Sequence, residues 1–144
     1  MRPGRVSIST VIERTVAYAL LKAMKSTRGS IWPVLAERGV HPGQDLLLSV
    51  LWHEDGITQA ELVARLGIEA PTVSRALQRL ERTGHVRREA GGGRSRRVYL
   101  TDEGRALQRP IEQAWRNADR RLARRIGAED MAALRRILSR LTQS

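Results

Sequence analysis

The chain contains no cysteine in its 144 residues. This absence excludes disulfide bonds, zinc sites built on thiolates and a redox sensor that works through a thiol. Its only histidines, His41, His53 and His85, stand apart in the sequence, and none has a partner at the i+3 or i+4 spacing of a helical metal site. The sequence therefore predicts neither a metal site nor another cofactor.

Long apolar runs and catalytic motifs are missing as well. No apolar run approaches the ~20 residues of a membrane-spanning helix, and no signal peptide is visible, so we expect a cytoplasmic protein without a membrane partner. The serine and aspartate residues form no known nucleophile motif, so we expect no enzyme and no catalytic residues. A length of 144 residues and a hydrophobic content of 41% fit a single domain with a modest core.

Lysine is scarce, and almost all of the positive charge is carried by arginine. Lys22 and Lys25 are the only lysines in a chain whose net charge is +11. Residues 72–97 contain eight arginines and two glutamates, so a net charge of +6 falls within 26 residues. A basic patch concentrated in one segment is typical of a nucleic-acid-binding surface.

Residues 58–84 have the pattern of two short helices joined by a tight turn. Thr58 and Glu61, three positions later, form a capping box, in which each side chain accepts a hydrogen bond from the backbone N–H of the other residue. Gly67 ends this first helix after about three turns. The second helix opens with Pro71, which suits a first helical position, and ends at Gly84. The pattern predicts a helix-turn-helix.

The second helix has one apolar face and one polar face. At 100° per residue, one side collects Val73, Ala76, Leu77 and Leu80. The opposite side carries hydrogen-bond donors, three of them cationic and none acidic: Thr72, Ser74, Arg75, Gln78, Arg79 and Arg82. A helix fits the major groove of B-DNA, so we predict that this face and Thr58 contact DNA. Taken alone, the pattern also fits an amphipathic helix with a solvated basic face.

Residues 85–100 read as a β-hairpin wing. Two short segments flank the run Gly91-Gly92-Gly93, which predicts a hairpin with a flexible tip. Arg94 at that tip is predicted to enter the minor groove, where narrowing deepens the negative potential, and Arg96 is a second predicted contact. A phosphate-binding P-loop is a weaker interpretation of the glycines, because the strand–loop–Gly-Lys-Ser/Thr context is absent.

The order and spacing of these segments resemble the MarR family of bacterial winged helix-turn-helix transcription regulators. The segments that carry the resemblance are Pro-Gly-Gln-Asp-Leu-Leu-Leu at 42–48, Thr-Gln-Ala-Glu-Leu at 58–62, Pro-Thr-Val-Ser-Arg at 71–75, Leu-Glu-Arg-Thr-Gly at 80–84 and Val-Tyr-Leu-Thr-Asp-Glu-Gly at 98–104. The family usually has an Asp two residues before the wing arginine, where this chain has Gly92. The salt bridge that would orient Arg94 is therefore missing.

The resemblance implies a mainly α fold with a small β-hairpin wing. The winged helix-turn-helix lobe would span residues 41–100, and dimerisation helices would span 8–40 and 101–144. It also implies a ligand-responsive regulator that acts as a repressor and binds a pseudo-palindromic operator in double-stranded DNA as a homodimer. A small aromatic or lipophilic effector would bind between the dimer helices and the lobe. Trp32, Trp52 and His53 are candidates to line that pocket, with core packing the alternative for both tryptophans.

The terminal segments carry apolar stripes at helical spacing. The three stripes are Ile8, Ile12, Val16, Ala19 and Leu20; Leu107, Ile111, Trp115, Ala118, Leu122 and Ile126; and, after Gly127, Met131, Leu134, Ile137, Leu138 and Leu141. Packing within one chain explains part of this pattern, and a dimer built from both termini explains more of it. Pro33 and Pro110 are expected to kink or interrupt their helices. A non-specific nucleic-acid-binding winged-helix module is the alternative function.

Overall fold

The computed structural model describes residues 8–90 and 95–143. The elements in chain order are α1 (Thr10–Glu13), α2 (Val16–Glu37), α3 (Gln44–His53), β1 (Ile57–Thr58), α4 (Gln59–Leu66), α5 (Ala70–Arg82), β2 (Val86–Arg88), β3 (Arg97–Leu100), α6 (Asp102–Ala106), α7 (Gln108–Ile126) and α8 (Ala128–Thr142). This confirms the predicted mainly α fold with a small wing. Gly92 and the predicted DNA contact Arg94 lie outside the described residues.

The hydrophobic core lies where α3, α4 and α5 pack against the small sheet. Its most buried members are at most 1% exposed, and they are Leu47, Leu48, Leu51, Leu62, Val73, Leu77, Leu80 and Val98, together with Ile111 of α7. Burying a side chain of this size contributes about 1.5–3 kcal/mol before the loss of conformational entropy. The predicted apolar face of the second helix is thus the face that holds α5 in place, and its polar face is left outward.

The boundaries of α4 and α5 differ slightly from the prediction. Thr58 caps α4 by accepting a hydrogen bond from the Glu61 amide at 3.2 Å. The reciprocal bond from Thr58 N–H to the Glu61 side chain is absent from the described part of the chain. Helix α5 begins at Ala70, so Pro71 occupies the second helical position, which equally needs no N–H donor.

The sheet has three antiparallel strands in the order β1-β3-β2. Strands β2 and β3 form the predicted hairpin, with Val86 opposite Leu100 and Arg88 opposite Val98. Strand β1 adds to the other edge of β3 through Ile57, which is also opposite Val98. The sequence did not predict β1, since two residues are too few to show the alternation of a strand.

The N-terminal helices deviate from the predicted stripe. The helical conformation is interrupted before Val16. The Thr15 hydroxyl accepts a hydrogen bond from the Tyr18 amide and caps a new helix. Ile8 and Ile12 therefore do not share one helix with Val16. Helix α2 then runs through Pro33, so the interruption expected there does not occur.

The tolerance of the two prolines follows from their surroundings. The carbonyl that Pro33 leaves without its helical donor belongs to Gly29, which is exposed and can be hydrated. Pro110 lies in the first turn of α7, just after the break at Leu107 that separates α6 from α7. Its missing N–H matters little there, since amides in a first turn have no helical acceptor.

The C-terminal half of α2 packs along α7. Ile31 and Leu35 of α2 are buried together with Ile111, Ala114 and Ala118 of α7. This is the part of the terminal stripes that packing within one chain satisfies. Helix α8 contributes no residue to the buried core, and the apolar face of its C-terminal half remains exposed.

Candidate nucleic-acid interface

The outward face of α5 presents the predicted donors to solvent. Val73, Leu77 and Leu80 anchor the helix at 0% exposure. On the other side Ser74 is half-buried, and the exposed residues are Thr72, Arg75, Gln78, Arg79 and Arg82. The structure thus brings the six α5 residues onto one accessible surface, which we call the α5 face. Its width is that of a single helix, the element that B-DNA admits in its major groove.

The positive charge of the α5 face is uncompensated. Glu81 is the one acidic residue within α5, and its carboxylate accepts a hydrogen bond from Arg88 Nε of β2 at 2.6 Å. Within residues 8–90 and 95–143, Arg75, Arg79 and Arg82 form no ion pair. Three cationic side chains therefore remain available to a polyanion.

A cleft separates the α5 face from the base of the wing. Its volume is about 430 Å³, and Ser74 and Gln78 line one wall while Arg88 and Arg96 line the other. Arg96 is held there, because its Nε donates to the Glu89 carbonyl at 2.8 Å. The structure thus places Arg96 beside α5.

Thr58 lies at the start of α4, half-buried. Its hydroxyl oxygen caps the helix, which leaves the O–H hydrogen free to donate to another acceptor. Because β1 pairs with β3, the predicted contact at Thr58 is connected directly to the wing.

The wing is fixed to the rest of the lobe through the turn before β1. One carboxylate oxygen of Asp55 accepts from the Leu100 amide at 2.8 Å, and the other lies 3.0 Å from Arg105 Nη2. Gly56 has a φ of +71°, and a Cβ at that position would come within 2.8 Å of the Tyr99 ring. Glycine is the residue type that adopts this φ readily and leaves room for the Tyr99 ring.

The end of α5 meets α6 at a close backbone contact. A Cβ on Gly104 would overlap the carbonyl oxygen of His85, so α6 approaches the chain there more closely than any other residue type permits. The Thr101 hydroxyl adds a hydrogen bond to the Gly84 carbonyl at 2.6 Å. His85 is buried, and burial lowers its pKa from the ordinary value of 6.5, although Glu103 acts in the opposite direction. The neutral imidazole is therefore the form that this junction favours.

Comparison with known proteins assigns the family. The family model described as MarR family matches residues 33–97, from the end of α2 to the start of β3. The HTH-type transcriptional regulator TtmR of Methylorubrum extorquens (strain PA1) is 33% identical over 99 residues, which are 67% of this chain and 51% of that protein. The chain belongs to the MarR family. It aligns with only about half the length of TtmR.

Two further proteins match nearly the whole chain. The HTH-type transcriptional repressor Rv2887 of Mycobacterium tuberculosis (strain ATCC 25618 / H37Rv) is 29% identical over 128 residues, which are 88% of this chain and 92% of that protein. The solved structure of the transcriptional repressor CouR bound to a 23-mer DNA duplex has a TM-score of 0.78 at 26% identity and covers 97% of this chain and 100% of that chain. The MarR fold therefore includes the terminal helices.

The tryptophans of this MarR-family chain lie at the junction of its two parts. The Trp52 indole donates to the Gly104 carbonyl at 2.9 Å and packs against the core. Trp32 is 49% exposed, so the predicted core packing is wrong for it. In sequence it lies between Ile31 and Leu35, but its side chain lies outside the face of α2 that these two residues bury.

Trp32 and Trp52 line separate depressions on the two sides of Trp115. The depression at Trp52 has a volume of about 340 Å³, whereas the cleft at Trp32 encloses only about 10 Å³. His53 is exposed at the end of α3 and lines neither of them. Trp115 is shared by both, and sequence reasoning assigned it to a dimerisation stripe instead. Its spacing in α7 matched the stripe, and no local signal distinguished it.

Residues 8–90 and 95–143 contain no group of three or more His, Cys, Asp or Glu side chains arranged to hold a metal ion. No helix in the same ranges is long and apolar enough to cross a membrane. The α5 face with the neighbouring wing is therefore the candidate site that the described residues support best.

Proposed function

We propose that this chain is a sequence-specific DNA-binding regulator of transcription, and that it acts as a repressor. The observation that carries the proposal is the α5 face, whose three arginines form no ion pair with any described residue and lie opposite the buried Val73, Leu77 and Leu80. Rv2887 and CouR, to which the chain is similar, are both transcriptional repressors, and this similarity supports the same function. We also propose a cytoplasmic location and no enzymatic activity.

The proposed contacts divide by their place on the helix. A recognition helix directs its N-terminal residues to base edges, so we assign Thr72, Ser74, Arg75 and Gln78 to base readout. Arg79 and Arg82 lie about one and two turns after Arg75, and we assign them to phosphates at the edge of the major groove. From the wing side, Arg96 and Arg94 are assigned to the minor groove, and Thr58 to the phosphate backbone.

The protein is proposed to act as a homodimer joined through residues 8–40 and 101–144. Both ends of the chain expose large apolar side chains, each between 38% and 75% accessible: Val11, Ile12, Val16, Leu20, Leu21, Met24, Ile137, Leu138 and Leu141. Several large apolar side chains exposed together on one helix mark a protein–protein interface. A two-fold dimer would present two α5 faces to a pseudo-palindromic operator.

Light scattering on the full chain tests the dimer. Ile137→Asp places a charge on the exposed apolar face of α8 and should convert the dimer to a monomer at micromolar concentration. Ser139→Asp is the matched control, because it adds the same charge to an exposed position about 200° around the same helix. A monomeric wild-type protein, or equal behaviour of the two variants, would refute this interface.

A small aromatic or lipophilic effector is proposed to bind between the terminal helices and the lobe. The depression lined by Trp52 and Trp115 has a volume of about 340 Å³, within the range of small-molecule sites. Trp32 borders the smaller cleft beside it, and His53 stands at the end of α3 outside both. Saturable quenching of tryptophan fluorescence by a panel of small aromatic compounds tests this proposal, and no response across the panel counts against it.

A competition assay tests the regulatory function itself. A sequence-specific regulator binds its operator about 10³–10⁷ times more tightly than unrelated DNA. A net charge of +11 would also suit a non-specific nucleic-acid-binding module. Such a module binds operator and unrelated duplex alike at moderate salt. We expect unlabelled operator to displace labelled operator from the protein, whereas unrelated duplex should not.

A further inference from the structure

A second polar depression, which we call the α3–α5 groove, lies beside the C-terminal half of α5. It has a volume of about 340 Å³, and its lining consists of Gly39, His41, Gln44, Arg79, Arg82 and Thr83. We propose that this groove binds a phosphate group of the DNA backbone, with the Gln44 amide as a ligand. The inference rests on the proposed DNA-binding function, and it extends the contact surface from the helix-turn-helix to α3.

Gln44 supplies a hydrogen-bond donor that the fold does not use. The residue is only 4% exposed, and its Oε1 accepts from the His41 amide at 3.0 Å. Its amide nitrogen donates to no atom of residues 8–90 and 95–143, yet every fully buried side-chain nitrogen or oxygen there has a partner. The amide nitrogen must therefore reach the surface, and the surface that Gln44 lines is the groove.

The charges around the groove favour an anion. Arg79 and Arg82 enter it without ion pairs among the described side chains, and its lining includes no carboxylate. Asp45, the acid next to Gln44, is bonded to the Gly43 amide and to Trp115 Nε1, and it does not line the groove. Two guanidinium groups and an amide donor together match the oxygen acceptors of a phosphate.

The position of the groove selects the DNA backbone as the source of that phosphate. Arg79 and Arg82 follow Arg75 on the same outward face of α5, at the end of the helix away from the residues assigned to bases. A helix in the major groove is flanked by the two phosphate backbones, so the backbone strand passes the end of α5. A free phosphate ion has the same chemistry, and the experiment must separate the two sources.

The decisive variant is Gln44→Glu. It retains the size of the side chain and the oxygen that accepts from the His41 amide, and it replaces the free donor with a negatively charged oxygen. Gln143→Glu is the matched control, since it changes the net charge equally at an exposed position near the end of α8. His41→Glu, at an exposed position, introduces a carboxylate into the same groove without altering a core residue.

Both groove variants should bind DNA at least tenfold more weakly than Gln143→Glu. The loss should be equal for operator and unrelated duplex, because a phosphate contact carries no sequence information. The slope of log K against log salt should fall by about one. Equal binding by Gln44→Glu, His41→Glu and Gln143→Glu on both duplexes would overturn the proposal.

Failure of the groove and failure of the regulatory function give different results. If the wild-type protein does not distinguish operator from unrelated duplex, specific regulation fails, but a tenfold loss in Gln44→Glu on either duplex still supports the groove. Titration of inorganic phosphate without DNA identifies the other source. Saturable phosphate binding that disappears in Gln44→Glu, with unchanged DNA affinity, would assign the groove to a free anion and overturn the proposal.

Discussion

Trp115 and Asp45 connect the C-terminal helices to the DNA-binding lobe. The indole Nε1 of Trp115 in α7 donates to Oδ2 of Asp45 at 3.1 Å, although the two residues are 70 positions apart. Asp45 is 3% exposed, and its other oxygen accepts from the Gly43 amide at 3.1 Å. A buried carboxylate that satisfies two donors fixes the start of α3 against α7.

Trp115→Phe should destabilise the protein by about 1–3 kcal/mol. The change keeps an aromatic ring but leaves Asp45 Oδ2 buried without its donor. Trp32→Phe is the control, because Trp32 is half exposed and its indole makes no hydrogen bond within the described ranges. Urea unfolding followed by circular dichroism gives both values. Equal stability of the two variants would show that the bond contributes nothing.

Gly104→Ala and Gly29→Ala should change stability in opposite directions. At Gly104 the new methyl would overlap the backbone carbonyl of His85, and such overpacking costs about 1–3 kcal/mol. At Gly29, inside α2, no described atom beyond the adjacent residues and the backbone of the helix itself lies within 4 Å of the added carbon, so alanine should stabilise the helix by up to ~1 kcal/mol. Thermal unfolding measures both changes. A neutral Gly104→Ala would mean that α6 can move away from the lobe.

The stability of the fold should fall as the pH is lowered past 6.5. Because the pKa of His85 in the folded state lies below 6.5, the unfolded chain binds more protons between the two values, and the free energy of unfolding rises with pH there. The stabilisation from neutral His85 is thus present above pH 6.5 and is lost as the pH falls through the folded pKa.

Urea unfolding at several pH values on both sides of 6.5 checks this dependence. His85→Asn removes the titrating group and retains a polar atom for the contact with Thr83 Oγ1, which lies 2.8 Å from His85 Nδ1. Its pH slope should be shallower than that of the wild type. An unchanged slope in His85→Asn would contradict the assignment.

Arg75→Ala should reduce specific DNA binding and leave the fold intact. Arg75 is exposed at the centre of the α5 face, and the loss of one good contact costs about 1–3 kcal/mol, or tenfold and upward in affinity. Arg121→Ala, at an exposed position in α7, controls for the lost charge. Arg94→Ala should have a smaller effect than Arg75→Ala, since Gly92 supplies no carboxylate to orient Arg94. An unchanged operator affinity of Arg75→Ala, with wild-type melting, would exclude the proposed role.

Local sequence signals were sufficient to predict helices α4 and α5 of the lobe. The period of Val73, Leu77 and Leu80 set the buried face of α5, and Gly67 with φ +63° ended α4 where the sequence placed its end. In contrast, β1 is too short to carry a pattern. Pro33 predicted an interruption of α2. The helix continues because Gly29, whose carbonyl loses its helical donor, is exposed to solvent.

The parts of the sites that depend on tertiary contacts were not predictable. Trp115 meets Asp45, and Gln44 shares a groove with Arg79, through packing of helices that are far apart in the chain. No local spacing marks such pairs, because each residue type is ordinary in its own helix. The sequence therefore predicted the α5 face residue by residue, but it did not predict the α3–α5 groove or the place of Trp115.

Selection of bound fragments from a random duplex library tests the central claim most directly. The account predicts enrichment of one pseudo-palindromic sequence whose half-sites are about 10 base pairs, or ~34 Å, apart centre to centre, as two α5 faces in one dimer require. Arg75→Ala should fail to enrich the same sequence. Recovery of unenriched fragments by the wild-type protein, or of a single half-site without a symmetry-related copy, would contradict the account.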